Sequence, residues 1–269
     1  MATETLPGSL GEARASSTAS GGTALTTTAT LIPVLDGTVH LTLIPRNFST
    51  AVVVRWAKNP YLLVVKTTDE FVTGTDYSAA AQDGSTDTDV VLSSLGTAAQ
   101  GDYLMVGSHL PFRGVRIDVD AANANASVLT VKYRKSDDTW ADITATDGTA
   151  SGGATMAQDG NVTWTMPTDW KPVTLREAVS GMGSPFPYGG HRAYWTRWEV
   201  SAALDSSTTL NSLMALNRST VYAEIPSGLG KSEVVTKGPG GIGCIEALTD
   251  AGTANLLVIC ESAPNTGLV

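Results

Sequence analysis

The sequence is poor in the residues on which most catalytic centres depend. Its 269 residues include two cysteines and three histidines. The histidines, His40, His109 and His191, are scattered along the chain, and none belongs to a motif with a nucleophile and a carboxylate. A nucleophilic triad needs all three groups together. We therefore predict no catalytic residues and expect that the protein is not an enzyme.

Charged residues are also scarce, at 16% against roughly 25% in an ordinary soluble domain. The formal net charge is −9, and binding to a phosphate backbone requires clustered Lys and Arg, so we expect no nucleic-acid partner. No apolar run reaches the roughly 18 residues that span a bilayer. The N-terminal MATETLPGSLGEARASS also lacks the basic and apolar regions of a signal peptide. We expect no membrane partner and synthesis in the cytoplasm.

Motifs for metals and cofactors are weak or missing. In QDGSTDTDV, Asp83, Asp87 and Asp89 offer hard oxygen ligands for calcium, but the segment lacks the spacing and terminal Glu of an EF-hand loop. A plain acidic loop is the favoured interpretation. The segment GPGGIG lacks the Lys-Ser/Thr that follows a phosphate-binding loop. We therefore predict no metal and no cofactor.

The sequence is rich instead in short β-branched runs, each ended by Pro, Gly, Asn or Asp. In TVHLTLI, Val39, Leu41 and Leu43 alternate with Thr38, His40 and Thr42, as in a strand with one buried face. Further predicted strands are LIPVL, STAVVVRWA, YLLVVKTT, VVLSSL, YLMVG, GVRIDVD, SVLTVKYR, WADITATD, NVTWTM, AYWTRWEVSAAL and TLNSLMAL. Only TLREAVSGM suggests a helical turn.

This pattern predicts an all-β fold, an antiparallel β-sandwich of jelly-roll type. We expect three segments: 1–30 as an N-terminal leader, 31–225 as the sandwich body, and 226–269 as a Gly/Pro-rich linker with a C-terminal β-hairpin. The leader is interpreted equally as a disordered tail or as an extended arm that orders on a neighbour. The hairpin is formed by GCIEAL and NLLVICES around TDAGTAN.

Cys244 and Cys260 would lie opposite each other on that hairpin, close enough for a cross-strand bridge. Two cysteines are too few for a disulfide framework. Since thiols stay reduced in the cytoplasm, buried free thiols are the favoured expectation.

Five tryptophans fall in the second half of the predicted body: Trp140, Trp164, Trp170, Trp195 and Trp198. Indole rings supply large apolar surfaces and one N–H that needs a partner. We interpret them as core and rim residues, with a stacking platform for sugar rings as the alternative.

The stretch from Asp102 to Leu216 carries a resemblance. Its elements VGS…PFRG, LTVKY…W, TDGT…GGAT…DG.VTW and YW.R…VSAAL resemble a β-sandwich module of structural proteins in tailed-phage virions. The stretch that shows the resemblance covers somewhat under half of the chain. The module occurs on both head-associated and tail-associated proteins.

The resemblance implies a non-enzymatic virion protein, assembled in the host cytoplasm, that binds the capsid shell as a decoration, cement or minor head protein. Its expected partners are the major capsid protein, other virion proteins and further copies of itself, with a trimer expected by analogy. The alternative is a tail or baseplate component that binds host glycans, which predicts that Trp195 and Trp198 are exposed in a groove. A depolymerase would need a cleft with converging carboxylates.

Overall fold

The computed structural model describes residues 13–15, 21–34, 38–49, 52–83, 85–93, 95–216, 222–226, 233–236 and 241–262. Its regular structure is almost entirely strand, so the predicted all-β class is confirmed. The strands are β1 (Ala13–Ala15), β2 (Thr23–Leu25), β3 (Thr30–Pro33), β4 (Thr38–Arg46), β5 (Val53–Asn59), β6 (Leu63–Thr68), β7 (Thr73–Asp76), β8 (Val90–Val91), β9 (Tyr103–Ser108), β10 (Gly114–Ala121), β11 (Leu129–Arg134), β12 (Trp140–Asp142), β13 (Thr146–Asp147), β14 (Gly160–Thr163), β15 (Tyr194–Val200), β16 (Thr209–Ala215), β17 (Ala223–Pro226), β18 (Glu233–Thr236), β19 (Cys244–Thr249) and β20 (Ala254–Ser262).

The helical elements are short. A 3₁₀ turn spans Ala98–Gln100, and the helix α1 spans Leu175–Ala178, inside the predicted TLREAVSGM segment. The Thr174 side chain accepts a hydrogen bond from the Glu177 backbone N–H, and the Glu177 carboxylate accepts one from the Thr174 backbone N–H. This reciprocal capping explains why the helix begins at Leu175.

The chain divides into two compact units, the second inserted into the first. Unit 1 comprises Met1–Asn59 and Ser219–Val269, and unit 2 comprises Pro60–Arg218. This division differs from the expected boundaries after residues 30 and 225. The reason is strand pairing: β4 pairs with β20 and β5 with β19, so strands near the two ends of the chain build a unit of their own.

Unit 1 consists of two antiparallel sheets. One has the order β1–β20–β4–β18 with β2 also paired to β20, and the other has the order β17–β5–β19–β3. Their inner faces share one buried cluster, which includes Leu41 and Leu43 from the first sheet and Ile245 and Ala247 from the second. Because β19 and β20 lie in different sheets, the predicted C-terminal hairpin is wrong. Each strand joins N-terminal strands, an arrangement that lets the two apolar faces cover each other.

The leader contributes strands to unit 1. Both β1 and β2 pair with β20, and the Leu25 side chain is fully buried in the cluster. Residues 21–30 therefore belong to unit 1 together with strands from later in the chain. Residues 1–12 and 16–20 lie outside the described part of the chain.

Unit 2 is an antiparallel β-sandwich. Its six-stranded sheet has the order β12–β11–β15–β9–β6–β7, and its five-stranded sheet has the order β13–β14–β10–β16–β8. The inner faces pack together through a cluster that includes Val106 and Trp198 from the first sheet and Ile117 and Leu213 from the second. The predicted sandwich is thus confirmed here, while the jelly-roll connection stays a prediction.

A segment of the chain covers part of the outer face of the six-stranded sheet. Val173 and Ala193 exchange backbone hydrogen bonds of 3.0 Å. The two ends of the segment 174–192 therefore lie side by side, as in a closed surface loop. Leu175 and Phe186 of this covering segment pack in a second buried cluster with apolar side chains of the sheet. The six-stranded sheet therefore carries buried apolar clusters on both faces.

Strand faces largely follow the predicted alternation. In β4, Leu41 and Leu43 are buried and His40 is exposed. Thr38, expected on the polar face, is buried instead. Its partner Ser262 follows a register shift in β20, and such a shift breaks the two-residue period on which the prediction depends.

A buried polar network explains the TDGT…GGAT element. The Asp147 carboxylate accepts hydrogen bonds from the Thr149 backbone N–H at 2.9 Å, from the Thr149 hydroxyl at 2.6 Å and from the Thr155 hydroxyl at 2.6 Å. Gly148 and Gly160 are so close that a Cβ on Gly160 would lie 2.2 Å from the Gly148 carbonyl oxygen. These motif residues therefore fix the shape of a loop at the end of the sandwich.

Candidate functional site

Charged side chains form a compact group on the outer face of the six-stranded sheet. Lys132 and Arg197 lie opposite each other on β11 and β15. Glu199 contacts both: Lys132 Nζ is 2.8 Å from its Oε2, and Arg197 Nη2 is 2.7 Å from its Oε1. Glu199 is only 8% exposed. We call Lys132, Arg197 and Glu199 the charged triad.

Aromatic rings frame the charged triad. The guanidinium carbon of Arg197 lies 4.8 Å from the ring centre of Tyr103 and 5.0 Å from that of Trp140. Arg134 lies over the same Trp140 ring at 5.7 Å. Such cation–π contacts contribute about 0.5–2 kcal/mol each. Burial raises the pKa of Tyr103, and Arg197 partly offsets this effect, so the phenol is neutral at physiological pH.

Some polar atoms of this face lack a hydrogen-bond partner within the described residues: Nε of Arg134 and of Arg197, Nε1 of Trp140 and of Trp195, and Oε1 of Glu199. The Glu199 oxygen is within ion-pair distance of Arg197, but the N–H is not aligned with it, so the attraction is Coulombic. Buried unpaired groups cost about 1–3 kcal/mol each. The ion pairs and cation–π contacts connect side chains of β9, β11, β12 and β15, which favours a rigid surface. The charged triad contains two cations and one carboxylate.

The tryptophans that the sequence singled out are mainly packing residues. Trp195 and Trp198 are 0% and 1% exposed, so the predicted exposed groove at these two residues is wrong. The two indoles occupy opposite faces of the same strand, and both faces of that sheet are covered by apolar clusters. Trp164 donates its indole N–H to the Phe112 carbonyl at 3.0 Å, and Trp170 donates to the Trp195 carbonyl at 3.3 Å.

The three histidines occupy separate places. His40 is exposed on β4 of unit 1, opposite Thr236 and Glu261 of the neighbouring strands. In unit 2, His109 is exposed directly after β9, and the exposed His191 packs edge-on against Tyr188 with 5.3 Å between ring centres. Each is placed as a surface residue.

In the acidic loop QDGSTDTDV, the Asp83 carboxylate accepts hydrogen bonds from other residues of the same loop. Asp83 accepts hydrogen bonds from the Ser85 backbone N–H at 2.8 Å and from the Thr88 hydroxyl at 2.6 Å. Asp87 is exposed and Asp89 is half-buried. Across the described residues, no group of three or more His, Cys, Asp or Glu side chains is placed to hold a metal ion. The geometry thus agrees with a loop held by local hydrogen bonds.

Both cysteines are buried, and neither forms a disulfide. Since Cys244 lies on β19 and Cys260 on β20, the two belong to different sheets and do not face each other across a hairpin. Burial raises the pKa of Cys244 to about 12, although a hydrogen bond with Asn59 acts in the opposite direction. This thiol is therefore protonated and poorly nucleophilic.

Unit 1 also contains a buried carboxylate that sequence reasoning missed. Glu246 is 4% exposed, in a strand read as apolar. Tyr222 Oη donates to Glu246 Oε1 at 2.5 Å, and Asn59 Nδ2 donates to Oε2 at 3.2 Å. These donors come from distant positions in the chain, so no local pattern could have found the group. The charged triad had a weak signal, since Lys132 and Arg197 belong to the quoted motifs.

Comparison of the chain with family models and with curated proteins gave no match. None of the helices in the described part of the chain is long and apolar enough to cross a membrane.

Proposed function

We propose that this chain is a non-enzymatic structural component of a tailed-phage virion, bound to the capsid shell as a decoration, cement or minor head protein. The observation that supports this proposal most is where the residues of the phage-like motifs lie. Gly107 of VGS lies directly against the Trp195 ring of YW.R, with the nearest ring carbon 2.4 Å from the position of an added Cβ. These two motifs thus meet on the outer face of the six-stranded sheet, in the buried cluster under the covering segment.

The remaining motif residues have comparable roles. Phe112 of PFRG packs edge-on against Trp164 of VTW, with 5.5 Å between ring centres. Asp147, Thr149 and Thr155 hold the loop between β13 and β14. Because these motif residues pack and shape the sandwich, the resemblance concerns the fold of unit 2. A rigid sandwich suits a component that stays bound at a fixed place on a capsid shell.

The proposal is tested by locating the protein in particles. Heads and tails of the phage that encodes the chain are separated and analysed by quantitative mass spectrometry. We expect the chain in DNA-filled heads that lack tails, in a fixed ratio to the major capsid protein. Its recovery from tails alone would refute the capsid role and favour the tail or baseplate alternative.

A second measurement uses the purified chain. Heads stripped of it are incubated with increasing amounts of the chain and sedimented, with an acidic globular protein of similar size as the control for nonspecific trapping. Saturable binding is expected, because a shell offers a fixed number of equivalent sites. Cleavage of host polysaccharide by the same preparation would refute the non-enzymatic assignment.

A further inference from the structure

Four buried side-chain nitrogens lack a hydrogen-bond partner in the part of the chain that the structure describes, and all four lie on the outer face of the six-stranded sheet. They are Nε of Arg134, Nε of Arg197, Nε1 of Trp140 and Nε1 of Trp195. We call these four N–H groups the donor cluster. Buried polar groups in folded proteins are rarely left unpaired, and an unpaired one often marks a bound water or ion. The concentration of donors on one face therefore indicates an acceptor from outside the chain.

The donor cluster comes from three adjacent strands. Arg134 of β11 is paired with Trp140 of β12, and the register of β11 with β15 places Trp195 beside Arg134. Trp140 packs against the buried cluster that contains Trp195. The guanidinium carbons of Arg134 and Arg197 lie 5.7 Å and 5.0 Å from the centre of the same Trp140 ring. The four N–H groups thus belong to one packed group of side chains around Trp140.

Cations outnumber carboxylates in the ion pairs at this place. The carboxylate of the charged triad already contacts both of its cations. The carboxylate nearest to Arg134 is that of Asp138, at 3.8 Å, and Lys171 Nζ lies 2.8 Å from the same oxygen. Asp142, opposite Lys132 on β12, is exposed to solvent. Four cations therefore share two carboxylates, and a negative ligand would reduce the repulsion between them.

Burial limits the size of that ligand. Trp195 is fully buried, and Arg134 is 9% exposed. The side chain of Lys132 keeps 28% of its exposure, so the group is open to solvent on the side of the charged triad. A covered set of N–H groups suits an acceptor that is not much larger than a water molecule.

The kind of donor selects between the small acceptors. A buried water molecule makes about three hydrogen bonds and needs acceptors for its own hydrogens, whereas the donor cluster offers N–H groups beside an excess of cations. Planar carboxylates and phosphates prefer two parallel N–H groups of one guanidinium. Here each N–H group comes from a different side chain. This arrangement favours a spherical anion.

We propose that the donor cluster binds a monatomic anion of the chloride type, with Nε of Arg134 and Nε1 of Trp140 as donors. The ion would lie between the two guanidinium groups that share the Trp140 ring and would offset their mutual repulsion. The site belongs to unit 2 alone and does not depend on the proposed virion role.

The test measures thermal unfolding of the full-length chain by tryptophan fluorescence while sodium chloride replaces sodium gluconate at constant ionic strength. A ligand that binds only the folded form adds stability with the logarithm of its concentration above its dissociation constant. We expect the melting temperature of unit 2 to rise by about 3–5 °C for each tenfold increase in chloride in that range. Equal melting temperatures in chloride and in gluconate would overturn the proposal, since water alone would then satisfy the donors.

The variant Arg134→Gln removes one cation and one Nε–H group of the donor cluster, and it should abolish the chloride dependence. The matched control is Arg116→Gln, which removes the same charge from the five-stranded sheet, where the side chain is partly exposed beside Asp159. It should keep the dependence, and it also accounts for general effects of chloride on exposed surface. If Arg134→Gln does not fold, Trp140→Phe removes one N–H group and keeps an aromatic ring, and several-fold more chloride should then be needed for the same rise. Identical chloride dependence in the control and in both site variants would contradict the proposed site.

The position of the ion is tested directly with crystals of the full-length chain grown in sodium bromide. Anomalous scattering should show bromide within hydrogen-bonding distance of Trp140 Nε1 and Arg134 Nε. Bromide found only at other places on the surface would mean an adventitious ion only, and would reject the site.

Discussion

Substitution of Gly107 by Ala should strain the outer face of the six-stranded sheet, because the Trp195 indole lies directly against this glycine. A Cβ at residue 107 would lie 2.4 Å from Cε3 and 2.7 Å from Cδ2 of Trp195, whereas real Cβ contacts stay beyond 3.0 Å. Trp195 is fully buried in a packed cluster, so the ring has no free space into which to move. Overpacking of this kind costs about 1–3 kcal/mol, and we expect Gly107→Ala to lower the free energy of unfolding of unit 2 by about 2 kcal/mol.

The assay is urea unfolding followed by tryptophan fluorescence, which reports mainly on unit 2 because Trp56 is the one tryptophan of six that belongs to unit 1. The matched control is Gly190→Ala, since a Cβ there would meet nothing within 4 Å. Both substitutions restrict the unfolded chain to the same extent, so their difference isolates the clash. Adding Trp195→Leu to Gly107→Ala should cost less than the sum of the single changes. Equal stabilities of the two alanine variants would refute the packing argument.

Three further predictions concern charge and ionisation. Glu199→Gln should destabilise unit 2 by about 2–4 kcal/mol, because it leaves the two cations of the charged triad without a carboxylate. The control is Glu224→Gln, in an ion pair whose side chains are about half exposed, and it should leave the melting temperature nearly unchanged. The pKa of Asp137 is lowered from 3.8 to about 2, first by a hydrogen bond from Thr139. Its stabilising effect is therefore complete above pH 3.8 and lost as the pH falls through 2, so Asp137→Asn should flatten melting temperature against pH in that interval, and an unchanged profile would contradict this assignment. Since burial raises the pKa of Cys244 to about 12, the folded chain at ~pH 8 should react with a thiol reagent much more slowly than the urea-unfolded chain; rapid labelling of both thiols in the folded state would exclude this burial.

Local periodicity was enough to predict the strand content of the chain. The runs YLMVG and GVRIDVD became β9 and β10, and the alternation in TVHLTLI correctly placed Leu41 and Leu43 inside and His40 outside. This succeeds because side chains alternate between the faces of a strand, whatever its neighbours are. The interpretation of Trp198 as a packing residue succeeded for a similar reason, since large apolar rings are buried in most folds.

The same periodicity could not identify strand partners. The runs around TDAGTAN predicted a hairpin, yet β19 and β20 belong to different sheets. Cys244 and Cys260 are therefore not cross-strand neighbours. Backbone hydrogen bonds are equivalent for every partner strand, so the choice between a hairpin and two facing sheets depends on which arrangement buries more apolar surface over the whole unit.

What the sequence alone determined is the secondary structure class, the positions of most strands and, in β4, the burial of Leu41 and Leu43 and the exposure of His40. Only the tertiary structure decided that strands from both ends of the chain form one unit, that the segment 60–218 forms another, and that Lys132, Arg197 and Glu199 meet on one sheet face. The physical reason is range: a side-chain pattern acts over a few neighbouring residues, whereas sheet pairing and charge pairing join residues separated by tens or hundreds of positions.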